Sequence, residues 1–360
     1  MSRTLKIGII GSGGIARAHV AAYRKLPYVE IVAVADVIPG KARQFVEAEG
    51  LTGAAAYDGH QLLLAQELDG VSICTPNVSH HVTTVDALKA GKQVLLEKPM
   101  SVTLQEALDM TQVARETGNM LTIGFQPRYD PNMKLLQDIV QSGRLGKVYY
   151  AETGGGRRRG MPGGTFISKK LAGAGALADI GCYSLDMALN TIGYPRPLTV
   201  SAFASNHFGT NPLYHPEASK FEVEDFGVAM IRFENDMVLN FKISWAMHMD
   251  TMGSTLFLGT DAGLKVNPAT SDSPWSGVWD GSVGSISLYH DEFGRQTHTP
   301  IPLIGHQLNL FNEKVRDFAE AVQGGRPAPI PGEQILIQQA IIDGVLRSAE
   351  ARREVSVELP

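Results

Sequence analysis

Three groups of residues in this chain have types and spacings suited to chemistry. Near the start, Gly11, Gly13 and Ala16 punctuate the junction between an apolar run, Lys6–Ile10, and a helical pattern. Gly11 allows a tight turn, Gly13 lets an anion approach the backbone, and Ala16 lets helix and strand pack closely. The helix N-terminus behind that turn offers unpaired N–H groups and a partial positive charge, so the chemistry indicated is capture of a pyrophosphate. Further on, Lys98 stands between Glu97 and Pro99 at the end of another apolar run, where an ammonium supplies positive charge and a proton route. Pro99 restricts Lys98 to an extended conformation. Lastly, Asp179 and Tyr183 are four apart in a helical pattern, Ala176–Asn190, and so share one face, with Asp186 and Asn190 continuing the polar stripe. Gly181 inside that pattern costs about 1 kcal/mol against Ala, which indicates a close approach there.

The elements that must position these residues follow from periodicity. Up to about Gly124, apolar runs Lys6–Ile10, Ile31–Ala35, Val71–Cys74, Val94–Glu97 and Met120–Ile123 alternate with helical patterns. The helices are predicted at Ala16–Leu26, Lys41–Glu49, Gln61–Gln66, His80–Ala90 and Leu104–Thr117. Strands that are apolar throughout and separated by helices imply a parallel sheet covered on both faces, with ligands beyond the carboxyl ends of its strands. Asp36 ends the second strand at the distance expected of a carboxylate that takes ribose hydroxyls. These features together specify a dinucleotide site. An ionised Asp36 repels a 2′-phosphate, so NAD(H) is favoured over NADP(H), and nearby Lys41 and Arg43 leave NADP open. After the third strand, Thr75-Pro76-Asn77 forms a turn that lays backbone and Asn77 against the cofactor, and His80 or His81 begins the next helix.

Beyond Gly124 the alternation ends, which divides the chain into residues 1–124 and 125–360. Strand-like runs follow one another at Val148–Thr153, Leu198–Ala204, Val223–Phe233, Val238–Trp245, Thr255–Leu258 and Ser285–Tyr289, with a hairpin turn at Glu234-Asn235-Asp236. Adjacent strands of this kind favour an open, largely antiparallel sheet, one face of which is available to another subunit. Residues 263–284 read as loop, while Met133–Gln141, Leu308–Val322 and Gln334–Arg352 read as helices.

Composition narrows the class. The 360 residues are 44% hydrophobic and 19% charged with a net charge of −5, an ordinary soluble globule with no charge-based reason for nucleic acid or a membrane as partner. Two cysteines in separate segments, Cys74 and Cys182, offer neither a disulfide framework nor a metal site. The histidines at 207, 215, 248, 290, 298 and 306 lack tight ligand spacing, so no metal is expected; His306, ahead of a helix, is a candidate pocket residue. No leader pattern or membrane-length run is present, and a cytoplasmic location is expected.

Gly11-Ser12-Gly13-Gly14-Ile15-Ala16, Glu97-Lys98-Pro99 and Asp179-Ile180-Gly181-Cys182-Tyr183 together resemble the glucose–fructose oxidoreductase / inositol dehydrogenase / rhizopine-catabolism (Gfo/Idh/MocA) family, as does Gly124-Phe125-Gln126-Pro127-Arg128-Tyr129. The resemblance implies an α/β protein with an N-terminal Rossmann doubly wound parallel sheet and a C-terminal α/β domain whose sheet is large, open and mostly antiparallel. It implies NAD(P)-dependent hydride transfer at a sugar or polyol hydroxyl carbon, by a homodimer or homotetramer joined through the C-terminal sheet. Gly11, Ser12, Gly13, Gly14, Ile15, Asp36, Thr75, Pro76, Asn77, His80, Glu97, Lys98 and Gln126 then face the cofactor. Lys98, Asp179 and Tyr183 are the implied catalytic residues, and with Arg157, Arg158 and Lys169 they bind substrate. The family often has histidine where this chain has Tyr183, as in the inositol dehydrogenase branch; tyrosine resembles the glucose–fructose oxidoreductase and dihydrodiol dehydrogenase branches. A free tyrosine, with pKa near ~10, is a poor base at neutral pH, and an ammonium beside it favours its phenolate. Whether Tyr183 or Lys98 takes the hydroxyl proton stays open at this stage, with Asp179 orienting the substrate or the lysine. Two alternatives use the same fold: glycoside cleavage through transient sugar oxidation, and a non-enzymatic cofactor sensor, which would be expected to lack Lys98.

Overall fold

The computed structural model describes residues 3–250, 252–268, 283–305 and 307–359. The chain divides into two compact units: Met1–Gln126 with Leu308–Leu336, and Pro127–Gln307 with Ile337–Pro360.

The first unit is built on six parallel strands, β1 (Leu5–Ile10), β2 (Val29–Ala35), β3 (Ala55–Tyr57), β4 (Gly70–Ile73), β5 (Gln93–Leu96) and β6 (Leu121–Ile123), in the order β3-β2-β1-β4-β5-β6. Strand β3 is additional to the five runs read from the sequence; three residues, one exposed and two half-buried, cannot show a period. The order reverses between β1 and β4, and in a sheet of this kind that is the crevice where ligands bind. Helix ends follow local chemistry. Helix Leu104–Thr117 opens on a capping box in which Thr103 Oγ1 accepts from the Glu106 N–H (3.2 Å) and Glu106 Oε2 accepts from the Thr103 N–H (3.1 Å). It closes at Gly118, whose φ of 68° is left-handed. The core joins Ile7, Ile9, Val20, Val34 and Leu95 to Val315, Phe318 and Ala319 of helix Leu310–Gly324, and each large apolar side chain buried there contributes about 1.5–3 kcal/mol.

The second unit carries nine strands: β7 (Val148–Gly156), β8 (Pro197–Ser205), β9 (Phe226–Phe233), β10 (Val238–Ser244), β11 (Thr255–Gly259), β12 (Ala262–Pro268), β13 (Val283–Glu292), β14 (Arg295–Ile301) and β15 (Val355–Ser356). Their order is β14-β13-β12-β11-β7-β10-β9-β8-β15; β7 and β10 are parallel and the other pairs antiparallel. The expected hairpin joins β9 to β10, with Asp236 left-handed at φ 58° and the Phe233 N–H donating to Met237 O at 2.9 Å. Leu239, Phe241 and Ile243 of β10 point into the core, while Val238, Asn240 and Lys242 alternate outward. The reading of 263–284 as loop is corrected at both ends, because β12 runs to Pro268 and β13 starts at Val283; residues 269–282 lie outside the described ones.

The helix expected at Ala176–Asn190 is also corrected. It is two pieces, Ala176–Asp179 and Gly181–Ile192, separated by Ile180 at φ −110°. The close approach expected at Gly181 is present, since a Cβ there would lie 2.8 Å from Phe241 Cζ and 3.1 Å from Ala176 O. Asp186 does not continue an exposed stripe: it is buried, and Arg128 grips it with Nε on Oδ2 (2.9 Å) and Nη2 on Oδ1 (2.6 Å). Tyr194 Oη donates to the same carboxylate at 2.8 Å. No helix among the described residues is long and apolar enough to cross a membrane.

Candidate active site and its cofactor edge

The carboxyl edge of the parallel sheet gathers the glycine turn, Asp36, the Thr75 loop and Lys98 within the first unit. Gly11 adopts φ +92°, and a Cβ on it would sit 2.6 Å from Cys74 O, so only glycine lets the turn after β1 pack on the end of β4. Gly13 begins helix Gly14–Tyr23 with no side chain capping its N–H groups. Positions for a Cβ on Gly13 and Gly14 meet no atom within 4 Å. Thr75 Oγ1 is buried there without a hydrogen-bond partner. Open backbone donors, bare space over them and an orphaned hydroxyl are what a dinucleotide requires, and these residues fit one.

Asp36 is buried at the end of β2, and its Oδ2 accepts from Ser12 N (3.0 Å), Ser12 Oγ (2.6 Å) and Lys41 Nζ (3.1 Å). Its Oδ1 accepts from the Ile38 N–H at 3.0 Å. Burial opposes ionisation, but the bonds from Ser12, Ile38 and Lys41 outweigh it and hold the carboxyl below its usual range. An ionised carboxylate at this place suits ribose hydroxyls, and the Lys41 contact tempers its repulsion of a phosphate.

Two side chains expected at the cofactor, His80 and Glu97, have partners within the protein, as does the neighbouring His81. His80 is buried, with Nδ1 2.8 Å from Pro99 O and Nε2 3.0 Å from Thr75 O, so its ring ties the Thr75 loop to the Lys98 loop. Burial pushes its pKa down against those carbonyl contacts. His81 lies on Asp109, 2.6 Å from Oδ2. Glu97 is buried, and its Oε1 contacts His19 Nε2 (2.7 Å) and the Lys314 ammonium. His19 Nδ1 in turn meets Ser72 Oγ at 3.1 Å, and the Lys314 Nζ sits 3.6 Å from the Phe311 ring centroid. Lys98 differs: from Val94 through Ser101 it is the one residue that is not buried, and its peptide bond to Pro99 is cis. Asn77, Gln126 and Ile15 are all accessible at least in part.

In the second unit, every residue from Ala174 through Leu189 is buried except Asp179 and Tyr183. Asp179 Oδ2 accepts from the Trp245 indole N–H at 3.1 Å. Glu224, itself buried, accepts from the Gly175 N–H (2.7 Å) and the Leu177 N–H (3.0 Å), fixing the short helix that ends at Asp179. Arg158 and Lys169 are exposed. Arg157 is buried, and its Nη1 donates to Gly160 O at 2.9 Å, within its own loop. His306 lies outside the described residues. The sequence reading did not single out Trp245, Lys314 or His19. Their partners are dozens to hundreds of residues away, and no local spacing signals such contacts.

The model of an oxidoreductase family with an NAD-binding Rossmann fold matches residues 5–125, and the GFO/IDH/MocA C-terminal domain matches residues 133–265. The D-glucoside 3-dehydrogenase of Escherichia coli (strain K12) is 34% identical over 99% of this chain and 98% of that protein. This chain belongs to the Gfo/Idh/MocA family. It is an oxidoreductase with an NAD-binding Rossmann domain. Among other Gfo/Idh/MocA relatives, the glucose-6-phosphate 3-dehydrogenase of Bacillus subtilis (strain 168) is 33% identical over 51% of this chain and 52% of that protein. A levoglucosan dehydrogenase solved in complex with NADH superposes with a TM-score of 0.82 over 99% of this chain and 100% of that one, at 20% identity, which shows the shared fold.

Proposed function

We propose that this chain oxidises a ring hydroxyl of a D-glucoside, at C3, and transfers the hydride to NAD. The relative of nearly equal length is named for that reaction. The observation carrying the reading is a burial pattern: Lys98, Asp179 and Tyr183 are the accessible members of stretches otherwise buried on both sides. Burial of their neighbours fixes their backbones, while these three residues are partly exposed.

When bound, NAD supplies the hydride acceptor. The glycine turn and Thr75 hold its phosphates and nearby groups, and Asp36 holds a ribose. Lys98 or Tyr183 receives the hydroxyl proton, and Asp179 orients the hydroxyl that loses it. Arg158 and Lys169 bind the remaining hydroxyls.

The test is a panel of methyl glucosides, free sugars and inositols, each with NAD or NADP, followed by absorbance of the reduced nicotinamide. Stoichiometric NADH with methyl β-D-glucoside and no release of methanol is the expected result. Methanol release without net NADH would replace this reading with the glycoside-cleaving one, and silence across the panel would reject both.

A further inference from the structure

Trp245 has the largest side chain among the fully buried residues, and its one polar atom is spent on Asp179. We infer that Trp245 is a positioning residue that fixes the Asp179 carboxylate; the inference rests on the role assigned to Asp179 above. The geometry leaves the indole little freedom. Its ring meets Phe221 edge-on at 6.3 Å, and its backbone N–H donates to Asp225 O at 2.8 Å. Asp225 Oδ2 in turn accepts from the Phe208 and Gly209 N–H groups at 2.7 and 2.6 Å, so the backbone under Trp245 is itself anchored.

The same short segment holds the arginine loop. Ser244 O accepts from the Arg157 N–H (2.9 Å), the Met247 N–H donates to Arg158 O (3.3 Å), and Ala246 bridges to Arg159. Arg159 Nη1 closes the contact by donating to Met247 O at 2.8 Å. One rigid strand end thus sets both a carboxylate, through the Trp245 side chain, and the Arg157–Arg159 loop, through backbone bonds. A carboxylate on a half-exposed helix end has two oxygens and free rotation about its last bond. An N–H fixed by packing limits that freedom and sets the plane of the carboxylate.

Trp245→Phe keeps an aromatic ring and deletes the donor. Should that variant fold poorly, β-(3-benzothienyl)alanine at position 245 keeps the indole shape and replaces N–H by sulfur. Either change is expected to lower kcat/KM for methyl β-D-glucoside about tenfold to a hundredfold, as for a lost bond to a charged group. Binding of the glucoside to the NADH-loaded enzyme should weaken in parallel, and NADH affinity should stay within about twofold, since the indole bond serves the sugar-orienting group alone. The deciding comparison is a double-mutant cycle with Asp179→Ala, read by kcat/KM and by glucoside affinity. If Trp245 acts through Asp179, its substitution costs less than about twofold in the Asp179→Ala background. An undiminished loss there would overturn the positioning role and leave the role of Asp179 intact. A fully active Asp179→Ala enzyme would overturn both.

Discussion

Lys98→Met is expected to lower turnover of the sugar by about 10³-fold while NAD affinity stays within about threefold, the range that loss of a positioned acid–base group produces. The methionine has similar length and no charge, so the loop after β5 keeps its shape. That loop is held by His80, which reaches Pro99 O, and by the committed carboxylate of Glu97, neither of which involves the Lys98 ammonium. What the substitution removes is the accessible charge at the carboxyl edge of the sheet. Steady-state kinetics and a fluorescence titration with NADH separate the two effects, and near-normal turnover would refute the assignment.

Lys314→Met is expected to cost about 3–5 kcal/mol of stability, because it leaves a buried carboxylate without its cation. Glu97 and Lys314 are both almost wholly enclosed, their side chains 8% and 1% exposed. Burial opposes ionisation of Glu97, but the charge of Lys314 and the bond from His19 outweigh it and hold the carboxyl far below its ordinary value of 4.5. A depressed carboxyl contributes stability that is present above the unfolded pKa and disappears as pH falls through the folded one. The deficit of Lys314→Met is therefore widest near neutral pH and narrows on acidification, as Glu97 takes up its proton. His19 pulls in the same direction on the parent protein: burial holds its pKa below 6.5 despite Glu97, so acidification below that value favours the unfolded chain. Adding Glu97→Gln to Lys314→Met should restore part of the loss by removing the stranded charge. Urea denaturation at several pH values measures all of this. A single variant as stable as the parent would contradict the account, as would a double variant worse than the single.

Much of this protein is legible in its sequence, for identifiable reasons. Gly11, Gly13 and Ala16 are readable because a phosphate-binding turn places local demands on backbone space, and local demands leave local spacing. Five of the six strands of the first sheet are readable because burial on both faces makes their runs mostly apolar. Strand β14 escaped because it is an edge strand, Arg-Gln-Thr-His-Thr-Pro-Ile, largely exposed and without alternation. Strand β12 does alternate, with Ala262, Leu264 and Val266 inward, but it adjoins a stretch rich in serine and proline that masks it.

The candidate site divides along the same line. Asp179 and Tyr183 could be found from their types and a four-residue spacing, though the break at Ile180 shows that spacing alone overstated the helix. The bond from Trp245 to Asp179 and the grip of Arg128 on Asp186 span 66 and 58 residues, and no periodicity reports such pairings. His80 illustrates the opposite error. The family motif puts His80 at the cofactor, yet its ring sits between two backbone carbonyls in the interior.

The most direct measurement uses methyl β-D-glucoside carrying deuterium at C3, incubated with the enzyme and NAD, with the reduced cofactor analysed by mass spectrometry. Transfer of one deuterium to the nicotinamide, with a slower turnover than the unlabelled sugar, is the result expected here. Reduced cofactor that contains no deuterium, or none formed at all, would contradict the claim that this chain takes its hydride from that carbon.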